Sequence, residues 1–356
     1  MQPETTYAWL GRDRIAYQVL GQGPPDLVMT GASLGHLDIA WEDPGLALFL
    51  RSLASFSRLI LFNRRGTGAS DPLPPDPLPP WESYAEELAA VLDAVGSQRT
   101  AILAELDAAA IFFAGTRPQR TSALILVHTS AKYLASRDYP IGIPPERAEA
   151  IIGRVEDTWG TAEPITTAIP SRAGDERFRR WVARMQRSMA SPRTVHVVLR
   201  ALFQVDVRPL LPLVQAPVLV LHRRDFPLLP IEHGRYLAEH LPNATFVELP
   251  GADGPLTWET PELTLAHVEE FLTHKRAGQV DSDVVRRITA LRAERAGLLG
   301  HPLALLEHGV GEAHDPLDAG ARRRPAEGCG ARRPGRHRRL PPGRRGLGKP
   351  RSRQRR

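Results

Sequence analysis

The chain is predicted to fold as an α/β protein: a mostly parallel, doubly wound sheet of eight strands with a helical insertion in its second half. Three observations predict this. Short β-type runs alternate with longer amphipathic ones over residues 7–273. The later runs are continuously apolar, as strands covered on both faces must be. One long interval, about 131–209, offers helical segments but no strand.

The first two runs, Tyr7–Gly11 and Ile15–Leu20, lie close enough to pair as an antiparallel hairpin. Asp26–Thr30 is the third strand, and the amphipathic stretch Leu46–Ser55 leads to the fourth, Arg58–Phe62. Glu82–Val95 has helical periodicity and precedes the strand Thr100–Leu103, which runs directly into the helix-like segment Ala108–Thr116. Ala123–Val127 is the sixth strand. In the insertion, Pro145–Trp159, Asp175–Met189 and Pro192–Phe203 are helical pieces rich in Arg, Glu and Trp. They are expected to form a lid over the carboxyl ends of the strands, the edge at which open α/β sheets bind ligands. Val218–His222, Glu232–His240, Thr245–Leu249 and Pro261–Leu272 complete the alternation, spaced for right-handed crossovers.

Of the 356 residues 42% are hydrophobic, as in soluble globular chains. No apolar run approaches the roughly 18–20 residues that span a bilayer, and the N-terminus lacks a basic-then-apolar leader pattern. A cytoplasmic protein without a membrane partner is expected. The single cysteine, Cys329, excludes an internal disulfide and a cysteine-based metal cluster, and no cofactor is expected. The net charge of +6 is misleading as a guide to partners. Residues 321–356 hold 15 of the 46 basic residues and one of the 40 acidic ones, leaving 31 against 39, a net of −8, in the first 320.

Three regions follow: a folded domain over 1–274, a charged helical linker over 275–300, and a basic tail over 301–356. The tail is Gly, Pro, Arg and Ala without periodicity, too poor in apolar side chains to offset the entropy of ordering it. The same composition results when a GC-rich gene is read in a shifted frame. Nucleic acid is not an expected partner of the body; only the tail offers the charge for it.

Several segments resemble the α/β-hydrolase family. Asn63-Arg-Arg-Gly-Thr-Gly-Ala-Ser-Asp71 is similar to its D-x-R-G-x-G-x-S-D loop, with Asn63 in place of the first aspartate. Pro217–His222 followed by Asp225 resembles the strand that delivers the acid of a catalytic triad. Asn243–Asp253 resembles the last strand and the loop that delivers the histidine. The likeness covers about 7–273. It is nearest to the hydrolase-like domains that precede class III adenylate/guanylate cyclase domains, through Trp41–Pro44, Leu53–Phe62, Asp138–Pro144 and Glu232–Ala238. No cyclase-type metal-binding strand follows, so cyclase activity is not expected.

The resemblance implies a Ser-His-Asp triad, with the nucleophile at the centre of a G-x-S-x-G turn between strand and helix. Here that turn reads Ala104-Glu105-Leu106-Asp107-Ala108, so the nucleophile slot is Leu106. The histidine slot is Gly254, and the acid slot is at or beside Asp225. Asp107 has two readings. Shifted by one register it would be an ester-forming nucleophile, as in haloalkane dehalogenases and epoxide hydrolases on this fold; unshifted, it caps the helix that follows. Ala32 and Ser33, after the third strand, are candidates for an oxyanion-binding amide, with His36 and Leu106 as pocket walls. His128 and His222 end strands at the same edge. The expected function is a catalytically degenerate hydrolase-like domain that binds a small apolar or ester-like ligand in a sensory role, with a second copy of the chain, as a homodimer, its one candidate protein partner. The alternative is an active hydrolase, esterase-like or working through Asp107.

Overall fold

The computed structural model describes residues 2–31, 34–73, 80 and 82–273. The linker and tail expected beyond residue 274 lie outside the described residues. In chain order the elements are β1 Thr6–Leu10, β2 Asp13–Leu20, β3 Asp26–Gly31, α1 Leu37–Ala40, α2 Pro44–Ser55, β4 Arg58–Phe62, α3 Ser83–Ala94, β5 Thr100–Glu105, α4 Ala109–Thr116 and β6 Thr121–Val127. Then come α5 Pro145–Thr158, α6 Glu163–Ala168, α7 Glu176–Met189, α8 Pro192–Phe203, β7 Val218–Arg223, α9 Glu232–His240, β8 Ala244–Leu249 and α10 Pro261–Thr273.

The eight strands form one sheet in the order β1-β2-β4-β3-β5-β6-β7-β8. The pairs β1–β2 and β2–β4 are antiparallel and all later pairs are parallel. Alternation along the central strands divides the core between two faces. Val28, Ile60, Ile102, Leu124 and Val220 point to the face covered by α3, α4 and α9. Leu27, Leu59, Leu103, Ile125 and Leu219 point to the face covered by α2 and α10. Both faces are buried, which is why these strands read as unbroken apolar runs.

Three strands outrun their apolar stretch at the carboxyl edge. β3 reaches Gly31, β5 reaches Glu105 and β7 reaches Arg223, because the ladder continues through Gly31↔Glu105, Glu105↔Val127 and Arg223↔Leu249. Gly31 has φ +116, and a Cβ there would lie 2.0 Å from the Glu105 carbonyl oxygen. Only glycine lets β3 pass β5 this closely.

Between β6 and β7 lie α5 to α8. α7 begins at Asp175, whose side chain accepts the Phe178 N–H (2.9 Å), and it buries Phe178, Val182, Met185 and Gln186, one helical face. That face is fastened to the body. The Trp181 indole donates to the Ile39 carbonyl (3.1 Å), Arg184 pairs with Glu42 (2.6 Å), and Phe178 packs edge-on against Trp258.

Candidate functional site at the β5–α4 turn

The turn after β5 has the backbone of a nucleophile-bearing elbow. Leu106 stands at its apex with φ +54, a left-handed conformation that costs a non-glycine residue roughly 1–2 kcal/mol. Its N–H donates to the Val127 carbonyl (3.0 Å) and its carbonyl accepts the Tyr133 hydroxyl (3.1 Å). The flanking Ala104 and Ala108 are fully buried, so only small side chains fit there. The strained position falls on Leu106 and not on Asp107, so the structure follows the unshifted register. The apex side chain packs against the apolar core and carries no reactive atom.

Asp107 is buried and fully engaged. Its carboxylate accepts the Thr30 hydroxyl (2.6 Å) and the Ala109 N–H (3.1 Å) at the start of α4, and it forms an ion pair with Arg64. No histidine is among its hydrogen-bond partners within the described residues. Arg64 also lies over the Tyr84 ring, 4.6 Å from its centroid. Burial opposes the Arg64 charge, but Asp107 and Glu87 outweigh it and hold the guanidinium above its ordinary value. Arg65 extends the network to Glu87 (2.8 Å) and Asp13 (2.7 Å), and burial pushes the Glu87 carboxyl up. Three donors on one carboxylate, one of them charged, make Asp107 an anchor for α4 and the Arg64 loop.

The histidine slot is closed. A Cβ on Gly254 would lie 2.7 Å from the Phe226 ring and 3.3 Å from the Ala168 carbonyl oxygen, which already accepts the Gly254 N–H (2.7 Å). Phe226 in turn packs on His128 at 4.4 Å between ring centroids. His128 is fully buried, and its Nε2 accepts the Arg223 N–H (3.0 Å). Burial, and then the nearby His222 and Arg223, drive its pKa well below that of free imidazole. His222 donates from Nε2 to the Leu229 carbonyl (2.9 Å), and burial lowers its pKa too. In both rings Nε2 meets a backbone group while Nδ1 is buried without a hydrogen-bond partner.

Asp225, expected at or beside the acid slot, is exposed, and its backbone N–H donates to the Gly251 carbonyl (3.2 Å). An ion pair with Arg223 or Arg224 does not form. Arg224 pairs with Glu248 (2.6 Å), while Arg223, fully buried, donates to the Pro250 carbonyl (2.6 Å) and the Thr260 hydroxyl (2.8 Å). The buried acid of this loop is instead Asp253, held by the Ser171 N–H (3.0 Å) and hydroxyl; burial raises its pKa.

His36 is half-buried and accepts the Asp38 N–H on Nδ1 (3.2 Å), capping α1. Ala32 and Ser33 lie outside the described residues. A cavity of about 250 Å³ opens between α5 and α8, and neither His36 nor Leu106 lines it. Asn63 explains its own departure from aspartate. Its side-chain N–H donates to the Leu34 carbonyl (2.8 Å) while its oxygen accepts the Leu37 and Ala69 N–H groups (3.2 Å each), and a carboxylate has no proton to donate.

Sequence reasoning missed Phe226, Arg64, Tyr133 and a buried trio in which the His233 Nδ1 lies 2.7 Å from the Ser130 hydroxyl and 3.0 Å from the Tyr139 hydroxyl. Arg64 lay within a motif already singled out. The others carry no local signal, because their roles come from segments about 28 to 103 residues apart in the chain.

No family model matches the chain. The strigolactone esterase of Arabidopsis thaliana is 28% identical over 199 residues, 54% of this chain and 71% of its own. Among solved structures, the enol-lactonase of Burkholderia xenovorans superposes with a TM-score of 0.61 at 20% identity, covering 75% of this chain and all of that one. The esterase of Exiguobacterium antarcticum gives 0.63 at 16% identity, over 76% of this chain and all of that one. This chain has the α/β-hydrolase fold. Within that α/β-hydrolase fold, the apex of the elbow is Leu106, and the space beside the histidine slot belongs to Phe226. Among the described residues no helix is long and apolar enough to cross a membrane, and no group of three or more His, Cys, Asp or Glu side chains is placed to hold a metal ion.

Proposed function

We propose that this chain is a non-catalytic α/β-hydrolase-fold protein that binds a small ligand, apolar or ester-like, in the role of a sensory domain. The observation that carries this reading is the Phe226 ring, which occupies the space that any side chain at position 254 requires. Leucine at the apex cannot attack a carbonyl, and glycine at 254 cannot accept a proton. Loss of one such member from a catalytic unit costs several powers of ten in rate. The resemblance to domains that precede cyclases supports the sensory role.

A second reading, an active hydrolase using Asp107, is favoured by the esterase and lactonase names of similar proteins and by a carboxylate beside the elbow. The three donors on that carboxylate weigh against it. The assay is hydrolysis of para-nitrophenyl acetate and butyrate by the full chain. Release no faster than a heat-inactivated control is expected. Turnover above that control, abolished by Asp107→Asn in a variant that still folds, overturns the proposal.

A further inference from the structure

A cavity lies between α5 and α8, separate from the elbow. Its floor is apolar: Leu134, Ala148, Ile152 and Phe203. At about 250 Å³ it exceeds the roughly 150 Å³ that already accommodates a benzene ring, and falls below the usual range of roughly 300–1,000 Å³ for drug-sized ligands. Such a space suits one aromatic ring with a short side arm.

The rim sets the sign of that arm. Glu149 is neutralised by Arg200 (2.5 Å), which also donates to the His196 ring (3.0 Å). Glu146 lines the same rim, and among the described residues no ion pair or hydrogen bond engages its carboxylate. The amino-terminal half of α5 meets the carboxyl-terminal end of α8 here, so the opposite partial charges of the two helix ends offset each other. The Glu146 charge is left to select a cation. Phe203, the inner wall, packs edge-on against Tyr133 (6.2 Å between centroids), and the Tyr133 hydroxyl holds the Leu106 carbonyl (3.1 Å). Two rings, Phe203 and Tyr133, therefore stand between the cavity and the elbow.

We propose that the α5–α8 cavity binds a small aromatic amine, with the ring on Ile152 and Phe203 and the ammonium at Glu146. This rests on the reading of the chain as a non-catalytic binding protein; it gives the apolar ligand of that reading a binding place and adds a cationic arm to it. The test is titration of the full chain with 2-phenylethylamine, and separately with 3-phenylpropionate, followed by methyl NMR of Ile152, Leu134 and Leu106. Saturable shifts at Ile152 and Leu134 with the amine are expected, with binding at least fivefold weaker for the carboxylate. Glu146→Gln, an exposed change that leaves the core intact, is expected to weaken the amine two- to fivefold, the range for a partly exposed charge pair. Ala148→Phe, which fills the cavity, is expected to abolish the shifts. Absence of a saturable shift, equal affinity for the two probes, or shifts centred on Leu106 with Ile152 silent each overturns the proposal. Ester turnover bears on the reading beneath it and these binding data do not, so the two fail separately.

Discussion

Asp107 stands beside the apex of an α/β-hydrolase elbow, and its contacts are those of an anchor. Its carboxylate is one half of a largely buried ion pair with Arg64, and it also holds the first turn of α4. Breaking such a pair from one side leaves a buried charge without its counter-charge, at a cost of about 3–5 kcal/mol. Asp107→Ala is therefore expected to destabilise the fold by about 3 kcal/mol or more in urea denaturation. A loss below about 1 kcal/mol contradicts the anchoring role. Leu106 illustrates the converse. Its backbone keeps a strained conformation useful to a nucleophile, while its side chain contributes only apolar contact. The strain is retained because the Val127 and Tyr133 hydrogen bonds on both sides of Leu106 fix the turn whatever residue sits there.

At the scale of elements, the carboxyl ends of β6 and β7 and the start of α9 bring together three histidines, His128, His222 and His233, each fully buried. Burial lowers the pKa of all three, and that of His233 falls to about 4. His233 faces His222, the Ser130 and Tyr139 hydroxyls, and the Tyr139 ring. Because the folded values lie below the unfolded value of about 6.5, the unfolded chain takes up protons first as the pH falls. The stability these histidines contribute is complete above about pH 6.5 and is lost progressively as the pH falls, for His233 toward pH 4. His233 alone accounts for on the order of 3 kcal/mol across that window. Glu87 and Asp253, raised by burial, act with the opposite sign. The check is the urea midpoint between pH 7.5 and 4.5, for the parent and for His233→Gln. The parent should lose stability more steeply, and parallel profiles would refute the assignment.

At the scale of the whole molecule, charge is distributed unevenly along the chain. The first 320 residues carry a net of −8 and residues 321–356 a net of +14, from 15 basic residues against one acidic. Contacts between cationic side chains and phosphates release counterions and so weaken steeply with salt. Any binding of the full chain to duplex DNA at low salt is expected to disappear when 301–356 are deleted. Binding that survives the deletion would place the interaction on the α/β-hydrolase body and exclude the tail as its source.

Much of the architecture was legible in the sequence by itself, for a local reason. A strand buried on both faces must be apolar throughout, and a helix packed on one side must repeat every three to four residues. Eight strands, the antiparallel start and the helical interval after β6 therefore follow from pattern. The Leu106 elbow was legible too, because its Ala104 and Ala108 flanks are adjacent in the chain. What occupies the space above that elbow was not. Phe226 fills the place beside Gly254, Arg64 claims Asp107, and Asp225 turns to solvent while Asp253 is buried. Each outcome depends on side chains from distant segments competing for one volume or one hydrogen-bond partner. Sequence determined that Leu106 takes the apex of a hydrolase-type turn. Only the tertiary structure decided that the space beside Gly254 admits no further side chain, because close packing gave it to the Phe226 ring.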